Sequence, residues 1–128
     1  MWIDGVQHKN KMDNQYKEAS SVLIPPNSRV IAVQCQDVGG KEGLIGSTST
    51  GIMTGQAGWV CTAREQRDWQ LEEFDDSDWV TPDILGENGA PGFPFMDDID
   101  INATWVWTEH MKGVEAAIWC RYHLGSQP

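Results

Sequence analysis

Trp69-Gln70-Leu71-Glu72-Glu73-Phe74-Asp75-Asp76-Ser77-Asp78-Trp79 sets the fold class of this chain, together with Ala103-Thr104-Trp105-Val106-Trp107-Thr108 further on. In the first stretch two tryptophans bracket an acidic turn. In the second, a tryptophan pair at i, i+2 follows the two-residue period of an extended strand, which places Trp105 and Trp107 on one face and Val106 on the other. The aromatic mass thus sits in short extended segments rather than on a helical stripe, which points to an all-β domain. Seven Trp against three Phe and two Tyr make indoles the main packing material. Each buried Trp removes roughly 150–250 Å² from water.

The remaining segments agree with that class. Trp2-Ile3 followed by Asp4-Gly5 reads as a strand running into a turn, and a strand at the very start suggests that one or more earlier strands are missing. Residues 7–20 are polar and read as a loop with a helical turn. Ser21-Val22-Leu23-Ile24 is a short strand stopped by Pro25-Pro26. Arg29-Val30-Ile31-Ala32-Val33-Gln34-Cys35 is the clearest strand, so rich in apolar and β-branched residues that it belongs in the middle of a sheet. Gly39-Gly40 lies in a turn, because no Lys-Ser/Thr and helix follow it as a phosphate loop requires. Leu44 to Thr54 returns as one or two strands, Gly58-Trp59-Val60-Cys61-Thr62 as another, and Arg64 to Asp68 as a charged connection. Thr81 to Met96, punctuated by Pro82, Gly86, Gly89, Pro91, Gly92 and Pro94, reads as one long ordered loop. Val114 to Tyr122 is the last strand. Many short strands between frequent turns describe an antiparallel β-sandwich with jelly-roll connections, formed by residues 1–128 as a single domain.

The order Ile3-Asp4-Gly5, Arg29-Val30-Ile31-Ala32-Val33, Gly43-Leu44-Ile45, Trp69 with Phe74-Asp75-Asp76-Ser77-Asp78-Trp79, then Ala103-Thr104-Trp105-Val106-Trp107 resembles the galactose-binding-like domain superfamily. The resemblance covers nearly the whole chain in short pieces. It implies a jelly-roll sandwich of the kind found beside glycoside hydrolase catalytic domains and in extracellular proteins, usually binding rather than catalytic. Members bind sugars, phospholipid or other proteins. They usually carry strands ahead of the segment matching Ile3-Asp4-Gly5; here a neighbouring chain is an alternative source, since an open sheet edge invites pairing and homo-oligomers.

Charge narrows the partners. Nineteen acidic against nine basic residues give a net charge of −10, which repels nucleic acid and anionic membrane surfaces. No apolar run approaches the roughly 18 residues of a membrane span. Of the three cysteines, Cys61 and Cys120 are a candidate disulfide across the sandwich, worth roughly 4 kcal/mol in the chain-entropy model; Cys35–Cys120 is the rival pairing. A bridge implies an oxidising, extracellular setting, and the sequon Asn102-Ala103-Thr104 agrees with it if Asn102 is exposed.

Catalytic readings fare poorly. Adjacent carboxylates such as Asp75 and Asp76 point to opposite faces of an extended chain, so this turn reads as structural, with its acids accepting backbone N–H groups. No marked carboxyl pair signals glycoside hydrolysis, although a hydrolase fragment is the third-ranked reading. His8, His110 and His123 form no zinc set, and Cys35 in the most apolar strand reads as a buried thiol, not a nucleophile. No cofactor is expected apart from a possible Ca²⁺ in the loop holding Asp97, Asp98 and Asp100, which otherwise is a solvated acidic loop. Sugar recognition needs an aromatic platform and converging polar groups. Trp2, Phe93, Phe95 and Tyr122 are candidate platforms, and Glu87, Asn88 and Asp97 candidate hydroxyl partners, with the loop from Gly86 to Asp98 favoured. The expected function is a non-catalytic extracellular carbohydrate-binding or adhesion module, and the alternative is a structural or assembly domain of a larger protein that binds no sugar.

Overall fold

A computed structural model describes residues 1–7, 23–36, 43–91, 95–107 and 117–124. The fold is all-β, with no helix among these residues and two antiparallel sheets. The strands are β1 (Trp2–Ile3), β2 (Val6–Gln7), β3 (Val30–Gln36), β4 (Trp59–Thr62), β5 (Asp83–Glu87), β6 (Thr104–Trp107) and β7 (Ala117–His123). A five-stranded sheet runs in the order β2-β1-β3-β7-β4, and β5 and β6 form a two-stranded sheet.

The chain entry is built by local turn chemistry. Asp4 (φ 51°) and Gly5 (φ 84°) both take the left-handed conformation that a two-residue hairpin between Ile3 and Val6 demands. Gly5 has a second reason to lack a side chain, since a Cβ there would lie 2.8 Å from Leu71. The Asp4 carboxylate accepts the backbone N–H groups of Arg29 (2.8 Å) and Val30 (2.9 Å), which fixes the hairpin against β3.

β3 is the central strand of the large sheet, as its composition requires. Its first half, Val30, Ile31 and Ala32, is buried, while Val33 to Cys35 are partly exposed. Alternation along β3, β4 and β7 divides their side chains between two apolar clusters. On one face Ile31, Trp59, Cys61, Ile118 and Cys120 meet Leu44 and the small sheet's Val106 and Trp107. On the other face Ala32, Ala117 and Trp119 are covered by Trp69 and Trp79, with Trp2, Val60 and Phe74 at the margin. The large sheet is thus buried on both sides.

Several expectations change. The loop read over Thr81 to Met96 contains strand β5, whose pairing with β6 is interrupted by a bulge between Ile84 and Gly86; the Pro and Gly that suggested a loop sit at its start and at that irregularity. Leu44 to Thr54 forms no strand. It makes the isolated bridges Leu44–Val106 and Ser47–Met53, and the Thr54 hydroxyl donates to the Thr104 carbonyl (2.6 Å). Leu23-Ile24 is not extended into a sheet, and Ser21 and Val22 lie outside the described residues, as do Gly39-Gly40, His8, His110 and residues 114–116. Trp105, Val106 and Trp107 are all buried, so β6 presents no solvent face. The bridge joins Cys61 and Cys120, which face each other in the β4–β7 register with Cα atoms 4.1 Å apart. It is a lateral link inside one sheet, not a link across a sandwich. Cys35 keeps its thiol 3.9 Å from the Gly43 carbonyl.

Candidate functional site

The loop after β5 is organised from within. Asn88 is buried, and its amide nitrogen donates to the carbonyls of Met96 (2.9 Å) and Ile99 (3.2 Å), while its oxygen accepts the Met96 N–H (2.8 Å). This side chain faces inward and holds the loop, leaving no N–H group for a sugar hydroxyl. Glu87 is exposed at the end of β5, opposite Thr104. Phe95 is 56 % exposed and rests beside Gly89. Phe93 lies outside the described residues. Tyr122 is occupied as well, packed on Trp59 with ring centroids 5.0 Å apart.

Asp97, Asp98 and Asp100 are exposed. Asp100 accepts the Asn102 N–H (2.8 Å) in a tight turn, and its own N–H donates to the Ser47 hydroxyl (2.9 Å). Among the described residues no group of three or more acidic, His or Cys side chains is placed to hold a metal ion. Asn102 is exposed, as an acceptor asparagine must be.

A different surface carries the combination that recognition needs. Trp2 and residues 65–70 line an open cleft of about 330 Å³. Trp2 is half-buried and meets the buried Trp69 edge-on, with centroids 4.9 Å apart at 73°. The charged connection from Arg64 to Asp68 forms the exposed wall. Asp68 sits at φ 62°, a conformation favourable for few residues besides Gly, Asn and Asp, and its carbonyl accepts the Leu71 N–H at 3.1 Å. The wall therefore has a defined turn rather than a floppy course.

The chain that continues from this wall, Trp69 to Asp76, is held by Arg121, which is completely buried under it. Its Nε donates to Asp76 Oδ2 at 2.8 Å. Nη1 donates to the carbonyls of Trp69 and Leu71, and Nη2 to those of Glu72 and Phe74. All five guanidinium N–H groups are matched, and the Phe74 ring lies 5.3 Å from the guanidinium carbon. Local turns pair only some of the loop's backbone groups, the Phe74 N–H donating to the Leu71 carbonyl at 3.2 Å, and one side chain from β7 reaches the inward carbonyls. From Phe74 the rings continue to Trp79 (5.6 Å) and from Trp79 to Trp69 (6.5 Å). The indole N–H groups of Trp79 and Trp119 are buried without a hydrogen-bond partner among the described residues, so apolar packing has to offset that loss.

The acidic turn is structural, as the sequence suggested, but only half in the expected way. Asp75 accepts the Ser77 N–H at 3.0 Å, whereas Asp76 turns to the Arg121 guanidinium and to the His123 ring, the latter at 2.7 Å. Burial pushes the Asp76 carboxyl up, but the hydrogen bonds and charges of Arg121 and His123 outweigh it and hold the group below the usual carboxylate range. A carboxyl depressed in the folded state stabilises the fold above its unfolded pKa of about 4, and that contribution is lost as pH falls through the lower folded value. Thermal stability measured from pH 6 down to pH 2 is expected to fall less steeply in Asp76→Asn than in the parent; parallel acid limbs would show that Asp76 carries none of the acid sensitivity.

Of the surfaces read from sequence, then, only Trp2 lies in the cleft. Residues 65–68 gave no stronger signal than a charged connection, and Trp2 and Trp69 meet only because both lie on the same face of the large sheet. No protein-family model, curated protein or solved structure matches this chain.

Proposed function

We propose that the protein is a non-catalytic carbohydrate-binding module with the galactose-binding-like β-sandwich architecture, and that its sugar site is the Trp2 cleft. The observation that carries this reading is the pairing of a half-exposed indole with the polar wall of residues 65–70 around one cavity. A pyranose ring offers an apolar face for Trp2 and hydroxyls that Glu65, Asp68, Gln66 and Gln70 are chemically suited to accept from or donate to. The Cys61–Cys120 bridge supports an extracellular setting. No helix among the described residues is long and apolar enough to cross a membrane.

A glycan array followed by calorimetry on the strongest hits tests the proposal. Trp2→Ala is expected to weaken binding about tenfold or more, equivalent to about 1.4 kcal/mol. Asp68→Asn, which keeps the left-handed turn, and Glu65→Gln should each cost several-fold with thermal stability unchanged. A folded sample that binds no glycan on the array would remove the lectin reading. The second reading, an assembly module, rests on Ile84, which is 60 % exposed on β5, an edge strand among the described residues. Concentration-dependent sedimentation that Ile84→Lys abolishes would favour it.

A further inference from the structure

We infer that the cleft selects uncharged glycans and excludes acidic ones such as uronate- or sialate-bearing chains. The inference rests on the carbohydrate reading of the Trp2 cleft and adds the ligand's charge class. Among the described residues the cleft is lined by Glu65 and Asp68 against one cation, Arg67, with the exposed Arg64 next to it in the chain. The same loop continues through Glu72, Glu73, Asp75 and Asp78, all exposed. Its buried cation, Arg121, is already neutralised by Asp76 at 2.8 Å and so projects no compensating charge. Beyond the loop the whole chain stands at −10.

A neutral sugar loses nothing in such a field. Its hydroxyls donate to carboxylates, and a carboxylate with two oxygens suits a pair of neighbouring hydroxyls. A sugar carboxylate brought into the cleft meets the near acids directly and the outer acids through solvent, where salt screens them. Each such pair is weak in water, on the order of 1 kcal/mol or less at several ångströms. Together they set the expected discrimination at about tenfold in 20 mM salt.

Matched neutral and acidic glycans read this directly: sialyllactosamine against its uncharged sialic acid amide, and galactotriose against trigalacturonate, titrated at 20 mM and 500 mM salt. The neutral member of a pair that binds should bind about tenfold more tightly at low salt, and the gap should shrink at high salt. Glu72→Gln/Glu73→Gln lies outside the cleft lining. It should leave the neutral ligand's affinity unchanged and recover part of the acidic ligand's. Equal or tighter binding of the acidic member, or a gap insensitive both to salt and to this variant, overturns the charge selection while leaving the carbohydrate reading standing. A folded protein that binds neither member of any pair, nor any other glycan, overturns both.

Discussion

Arg121→Leu is expected to lower the unfolding free energy by about 3–5 kcal/mol, the range seen when one partner is removed from a buried ion pair. Urea denaturation followed by tryptophan fluorescence should show it, since the lost guanidinium holds the Trp69 carbonyl and Trp69 stacks on Trp79. The usual rescue for such a pair is to make the partner apolar as well, because two packed hydrophobic groups often replace two charges at little cost. That rescue is expected to fail here. Asp76 is only one of the groups Arg121 serves; the carbonyls of Leu71 (2.8 Å), Phe74 (3.3 Å) and Glu72 (3.4 Å) are the others, together with Trp69. Arg121→Leu/Asp76→Leu still removes the guanidinium donor of the Trp69, Glu72 and Phe74 carbonyls, while Leu71 keeps the Phe74 N–H, so its stability should stay near that of the single Arg121→Leu variant. Arg121→Lys keeps the charge but has three donors from one point, and cannot reach acceptors spread over the whole loop. Loss of less than 1 kcal/mol in Arg121→Leu, or full recovery in the double variant, would show that the loop is held by its tryptophans alone.

That dependence explains what was and was not legible in the sequence. β3, β4 and β6 could be read because a strand's burial is written locally, as apolar residues at a fixed period, and each was found within a residue or two of its place. Trp69 and Trp79 could be recognised as packing residues for the same reason. Arg121 could not be assigned its role, because one charged residue in an apolar strand states only that a partner exists and Asp76 is remote in the chain. The alternation of β7 did contain a hint: Arg121 falls on the same face as Ala117 and Trp119, an inward position, which required a compensating acid opposite. β5 was hidden by the opposite effect. Pro82 and Gly86 are loop residues by composition, yet an edge strand tolerates a proline at its start and a glycine at its bulge. The cleft was the least visible feature, since Trp2 on β1 and the loop residues 65–70 are remote in the chain and meet only over one face of the large sheet.

Reducing the Cys61–Cys120 bridge is the second large perturbation, with an expected loss of about 4 kcal/mol for a cross-link between residues separated by 59 positions. The effect belongs to the unfolded chain. In the folded state β4 and β7 are paired by backbone hydrogen bonds from Trp59–Tyr122 to Thr62–Trp119, so the strands remain neighbours without the sulfur link. In the unfolded state the bridge closes a loop that contains the 65–70 wall, the acidic turn and both strands of the small sheet. Opening it frees all of them at once. Urea titrations with and without a phosphine reductant should therefore show a lower midpoint and a steeper dependence on denaturant after reduction, since the opened chain exposes more surface. Thiol titration of the unfolded, unreduced protein should find Cys35 alone. Reduced wild type is the better comparison than Cys61→Ser/Cys120→Ser, because both sites are almost fully buried and two hydroxyls there would add a desolvation cost of their own. A shift below 1 kcal/mol would mean that the unfolded chain already holds these strands close. A large shift with glycan binding kept in the reduced, folded protein would instead separate the two roles: the bridge limits the unfolded ensemble, while Arg121 holds the chain that continues from the cleft wall.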